Sequence, residues 1–427
     1  MNTSLLRSNV LDPTYGNGGV AYPDPLISTI AATVPAGDGR ICVGTGNGYR
    51  YALFRVDSQG NLDKNFGEKD GLTTGSFKEG FNADGRGVQV LSDGRILITG
   101  IHHTGTQTFP ALARFSAKGY LDKEYGEGGH RILDQPPIAK KQSDSSTPAA
   151  ALSDAIRSST LENVQAQVQS NPHTHLADDK IYLTYNFPWS NSVIYRLDID
   201  GNLDKSFNAS GYKYLSPPLG LDTYAGPIYL EDDRILLCGS SSSPDGKTRP
   251  CVIRLNSSGE DDQTFGDGGY AFAEIESSQF SAIDKRMDGT IVCAGYTLPT
   301  PQKGLIAAFD DKGQPLHKFE NSTTDFGAYG GVWTRIGALK DGTIISAGNT
   351  MGGNEADVVL GRFKSHGAPD LSFGSRGWES IALGNSIDMA FSSALQSDGK
   401  TLITGSDFEE NGNLVRKGFL LRCLTKP

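Results

Sequence analysis

Hydrophobic positions along this chain fall in short runs rich in Val, Ile, Leu, Tyr and Phe, cut by Gly, Asp, Asn and Ser, the pattern of β-strands joined by tight turns. One phrase recurs, a turn followed by an apolar strand: "SDGRILITG" from Ser92, "DGTIVCAG" from Asp288, "DGTIISAG" from Asp341 and "DGKTLITG" from Asp398. Looser copies begin at Asp38, Asp178 and Asp232. The seven leading aspartates are 55, 85, 54, 56, 53 and 57 residues apart, so a single interval carries about 30 extra residues. Each unit reads as four strands. An apolar stretch such as "GVQVL" from Gly87 is strand A, the "RILITG" type is B, "ALARF" from Ala111 is C, and a short last strand is D. A four-stranded antiparallel meander repeated at this period predicts an all-β, seven-bladed propeller spanning residues 1–427, since radial stacking buries both faces of every sheet. Two consecutive sandwiches would give no reason for seven matching periods.

A second phrase closes each unit: "LDKNFGEKDG" from Leu62, "LDKEYGEGGH" from Leu121, "LDKSFNASGY" from Leu203 and "DDQTFGDGGY" from Asp261. Together with the DGxILxxG phrase and an Arg-apolar strand, it resembles the delta-60 repeat family of bacterial propellers, a resemblance that implies a fold and no assigned chemistry. Asn208 replaces the motif Gly in the third unit and Glu320 in the fifth; Asn tolerates the left-handed backbone, whereas Glu320 implies a different turn. The chain opens on a copy of the closing phrase at Leu11 and stops at "GFLLRCLTKP", a strand C with nothing after it. The N-terminal segment is therefore expected to supply strand D of the seventh blade and close the ring.

Six strands C carry an arginine, Arg55, Arg114, Arg196, Arg254, Arg362 and Arg422. Eight residues after the first five stand Asp63, Asp122, Asp204, Asp262 and Asp370, and Asp12 would serve Arg422 across the closure. In the fifth unit the two places are Ala308 and Leu316, lost together. That joint loss predicts a bidentate structural pair spanning the C to D turn.

A net charge of −10 and no Lys/Arg cluster argue against a nucleic-acid partner. No apolar run approaches a membrane span, and "MNTSLLRSNVLD" lacks the apolar region of a secretory signal, so the expectation is a monomeric cytoplasmic protein, or one exported without a classical signal. Cys42, Cys238, Cys251, Cys293 and Cys423 sit in apolar stretches and read as buried hydrophobes, with Cys238 and Cys251 the one pair worth testing for a disulfide.

The A to B and C to D turns are nearly uniform, while the B to C loops and D to A crossovers vary, which points to the latter face for binding. The largest variation is the crossover at 135–171, whose apolar stripes at Leu152 and Ile156, then Leu161, Val164 and Val168, predict two short helices lying as a lid on that face. His102 and His103 are expected in the second B to C loop. His173 and His175 form an HxH pair on strand A of the third blade, a spacing that offers two imidazoles to one metal ion. Phe109, Phe187, Trp189 and Tyr224 are expected at loop tips, able to stack on a sugar or seat a peptide. "DIDGNLD" from Asp198 has calcium-loop-like spacing but repeats a hairpin turn found elsewhere, and "GTGNG" from Gly44 opens no helix. The sequence thus predicts a non-catalytic binding or scaffold propeller engaging a protein or carbohydrate partner, with no cofactor beyond a metal ion. The alternative is a lyase or hydrolase with a site in the central pocket.

Overall fold

The computed structural model describes all residues except 1–7, 138–171, 188–191, 217–221, 232, 243–246, 321, 353–355, 385–386, 411–413 and 427, together with the side chains of 222–225, 409, 410 and 414. The described residues form seven four-stranded antiparallel sheets. Six are uninterrupted meanders in chain order; blade one, for example, runs Ile27–Ala36, Gly39–Gly46, Arg50–Val56 and Leu72–Gly75. The seventh joins Ile387–Leu395, Thr401–Glu410 and Leu414–Cys423 to Val20–Ala21 from the other end of the chain. Val20 pairs with Leu421 and Ala21 with Leu420. Backbone bonds extend that seam from Arg422 N to Gly19 O, from Asp12 N to Arg422 O and from Leu424 N to Val10 O. The helices expected within 135–171 lie outside the described residues.

Strand alternation explains where the core sits. Successive side chains point to opposite faces of a blade, and each face looks at a neighbouring blade. In "RILLC", Ile235 and Leu237 pack towards blade three, while Leu236 and Cys238 pack towards blade five. Each of the seven blade interfaces holds its own buried apolar cluster. The closing interface combines Ile27, Ile30, Cys42 and Phe54 of blade one with Leu402 and Leu420 of blade seven, and adds Tyr15 and Ala21 from the N-terminal segment. All five cysteines are buried free thiols. Cys238 and Cys251, the pair singled out in the sequence, belong to clusters on opposite faces of blade four and so point apart.

The closing phrase is explained by what its residues touch. Nε of Arg55, Arg114, Arg196, Arg254 and Arg422 donates to Oδ2 of Asp63, Asp122, Asp204, Asp262 and Asp12 at 2.8–3.0 Å, and Arg362 pairs with Asp370 at 3.1 Å. The contact differs from the expected two-to-two fork. Five of these arginines turn a terminal nitrogen away from the carboxylate to a backbone carbonyl in the next blade: Arg114 to Ile199, Arg196 to Ser257, Arg254 to Asp311, Arg362 to Thr425 and Arg422 to Ser58. All five carbonyls occupy the same place, three residues past the arginine position of strand C. The motif aromatic lies against the same guanidinium, 4.4 Å away for Phe265 and 4.5 Å for Tyr15. A turn glycine of the next blade packs against the same ring: Gly259 has φ +87°, and a Cβ there would sit 2.7 Å from the Phe207 ring. Each phrase therefore fastens its own hairpin and the following blade.

Blade five, with Ala308 and Leu316, lacks the ion pair but not the fastening. Arg286, from its A to B turn, donates through Nη1 to Ser365 O at 2.9 Å, the equivalent carbonyl in blade six, and its Nη2 lies 3.0 Å from Asp288. Leu316 instead joins the apolar cluster between blades five and six.

Candidate functional site

Strands A neighbour one another around the ring, and in six blades the pairing of A with B slips near the B to C, D to A face. Such bulges re-aim side chains. In blade two, strand A is Asn82–Val90 and B is Ile96–His103; Gly85 pairs with Gly100 and Gly87 with Thr99, leaving Arg86 as the extra residue. Gly85 is required by the close approach of blade one, since a Cβ there would lie 2.6 Å from Gly44 O.

Arg86 is 9% exposed and lines a cavity of about 690 Å³ formed by blades seven, one and two. Its Nη2 donates to Asp84 Oδ2 at 3.1 Å, while Nε is buried without a partner. Asp84 also meets His103 Nε2 at 3.0 Å on Oδ2 and accepts from Thr45 Oγ1 at 3.0 Å on Oδ1. Burial works to raise the Asp84 carboxyl, yet Arg86, His103 and Thr45 outweigh it and hold the group well below the usual carboxylate range. An ionised Asp84 can only accept, so Nε2 of His103 carries the hydrogen and Nδ1 is the nitrogen left for another partner. The rim adds Tyr49, 63% exposed with φ +55°, whose backbone carbonyl accepts from Ala83 N at 2.8 Å, and Arg416, whose guanidinium lies 4.7 Å from the Phe408 ring centroid. A bulky residue in the left-handed region is strained, and such strain collects at functional sites.

Blade seven holds a second buried acidic group. Asp388 and Asp407 face each other across the A to B pairing. Leu383 N donates to Asp388 at 2.6 Å, and the Tyr22 hydroxyl donates to Asp407 at 2.9 Å. Burial first, then the neighbouring charges of Asp407 and Asp357, push Asp388 up to about 8 against the lowering effect of the Leu383 N–H.

The residues singled out in the sequence scatter. His102 and His103 end strand B rather than occupying a loop, and as neighbours they face opposite ways. His103 reaches the cavity, whereas His102 is 3% exposed with its ring 5.1 Å from Phe81. His173 and His175 lie on His173–Ala177, strand A of blade three; burial lowers both, taking His173 to about 3 with help from Arg335. Among the described residues no group of three or more His, Cys, Asp or Glu is placed to hold a metal. Phe187 is not a loop-tip platform: it is 4% exposed, 4.8 Å from Tyr185 and 6.5 Å from Phe109, and both phenylalanines pack between blades two and three because the chain folds inward after Tyr185. Trp189 and the side chain of Tyr224 lie outside the described residues. Asp198 caps its hairpin by accepting from Asp200 N and Asn202 N, as an ordinary turn does. Sequence reasoning missed Asp84, Arg86, Thr45 and Tyr49; the available signal was "NADGRGV", the one strand A with an acid and a base in its first half.

Residues 91–124 and 230–265 match the family model described as a domain of unknown function (DUF5122) beta-propeller. No curated protein sequence matches the chain. Solved structures that resemble it include Drosophila Semaphorin 1a, extracellular domains 1–2, at 10% identity and TM-score 0.48, covering 95% of this chain and 87% of that one. A Dyadobacter fermentans protein of unknown function follows at 11% and 0.43, covering 95% and 99%. The propeller domain of the Pyrococcus furiosus Trilobed protease stands at 9% and 0.42, covering 94% and 98%. These likenesses concern the fold alone. Among the described residues, no helix is long and apolar enough to cross a membrane.

Proposed function

We propose that this chain is a non-catalytic binding propeller of the delta-60 kind, with its ligand or partner on the face that carries the B to C loops and the 135–171 crossover. The observation that supports this reading is the cavity at the inner ends of blades seven, one and two. There a buried guanidinium is fixed by a carboxylate that is itself fully engaged, an arrangement built before any ligand arrives and costly to keep for stability alone. On this reading the protein acts as a monomer, in the cytoplasm or exported from it, with no cofactor beyond a metal ion. The enzymatic alternative has the Asp388 and Asp407 pair in its favour, but neither carboxylate lines this cavity. A thermal-shift screen of glycans and metabolites, run on the full chain and on His103→Ala, tests the proposal. Stabilisation of the full chain that is lost in the variant is the expected result, and hits unaffected by His103→Ala would move the site elsewhere.

A further inference from the structure

The cavity is specific about charge. Asp84 spends its acceptors on Thr45, Arg86 and His103, so it offers little to a ligand. Arg86 offsets Asp84, which leaves Arg416; that side chain lies on Phe408 and makes no ion pair among the described residues. Among the described residues lining the cavity the fixed charges are Asp84, Arg86 and Arg416, one positive charge in excess, in a chain whose net charge is −10. A single positive charge beside a partly unsatisfied guanidinium suits a monoanion, and the planar fork of arginine matches the two oxygens of a carboxylate. A phosphate dianion would leave one negative charge without a counterpart.

The remaining contacts call for hydroxyl groups and a flat apolar face. His103 has Nδ1 left over for a ligand, and Asn47 and Asn82, whose amides can each both give and take a hydrogen bond, line the same cavity. Tyr49 stands at the rim, 63% exposed, with its backbone carbonyl held by Ala83 N–H. An aromatic ring so placed stacks on the C–H face of a pyranose. The volume, about 690 Å³, falls within the range of small-molecule sites.

On this basis, and resting on the reading of the cavity as a binding site, we infer that it takes an acidic sugar: a hydroxylated ring bearing one carboxylate, with the carboxylate towards Arg86 and Arg416 and the ring face on Tyr49. The probes are glucuronate and galacturonate, with glucose and galactose as uncharged counterparts and glucose 6-phosphate as the dianion, measured by calorimetry or saturation-transfer NMR on the full chain. At least one uronate should bind ten-fold or more tightly than its uncharged counterpart and than the phosphate. Arg416→Gln and Tyr49→Ala, both at the rim and checked for an unchanged melting curve, should each weaken it about ten-fold. Equal binding of uronate and uncharged sugar, or unchanged affinity in Arg416→Gln, overturns the charge assignment while the cavity remains a binding site. If the phosphate binds as well as the uronate, the choice of a monoanion is wrong. If no sugar binds, the acidic-sugar assignment falls, and the metabolite screen with His103→Ala decides separately whether the cavity binds anything.

Discussion

A turn carbonyl at the edge of the next blade takes an arginine donor throughout most of this ring, and the chain supplies that donor from two different places. Arg286 in blade five reaches the same carbonyl position that Arg114, Arg196, Arg254, Arg362 and Arg422 reach from strand C. Its side chain is 15% exposed but the Ser365 carbonyl faces solvent, so Arg286→Ala should cost about 1 kcal/mol in denaturant unfolding, the scale of an ordinary hydrogen bond. Restoring the motif with Ala308→Arg and Leu316→Asp should gain nothing in the native background, where Ser365 O is already served and Leu316 is packed. In the Arg286→Ala background it should recover part of the loss, and equal effects in both backgrounds would refute the substitution of one arginine for the other. Asp388 gives a residue-level pH dependence. Its folded value, near 8, lies above the ordinary carboxyl value of about 3.9, so the folded state keeps a proton that the unfolded chain gives up. That contribution is complete below about pH 4 and is lost as pH rises towards 8. Asp388→Asn should therefore melt higher than the native protein at pH 8, with the difference shrinking towards pH 5; a gap independent of pH would count against a proton held at Asp388.

The closing strand is short, but it carries more than its two paired residues. Removing residues 1–22 takes Tyr15 and Ala21 from the last interface, strips Arg422 of Asp12, and bares the backbone of Leu420 and Leu421. An apolar edge of this kind templates pairing between molecules, so the truncated protein should melt lower and aggregate under light scattering, and a melting curve equal to that of the full chain would reopen the closure. Asp12→Ala and Arg422→Ala should fail to add, with a coupling on the order of 1 kcal/mol. Lys400, 2.9 Å from Asp12, will dilute the effect without removing it. This element was legible because the same contact is made around the ring, and repetition exposes each partner by its absence elsewhere. The histidines and aromatics were not. Alternation says that His102 and His103 face opposite ways but not which one meets the cavity, and nothing in "YNFPWS" reveals that Phe187 folds back under Tyr185.

At the scale of the molecule, blade number and strand order follow from seven copies of a local pattern, whereas the cavity follows from none of them. It joins Thr45 and Tyr49, then Asp84, Arg86 and His103, then Phe408 and Arg416, residues far apart in the chain that meet because the ring closes. Arg86 enters it through a slipped register, which leaves no mark in composition or period. The seam has a further consequence. Leu424 N bonds to Val10 O beyond the outer turn of blade seven, which puts both residues on the face opposite the cavity. A tether attached at Ser8 or Thr425 would hold the propeller with its cavity turned outward, since both residues sit with this seam on the opposite face.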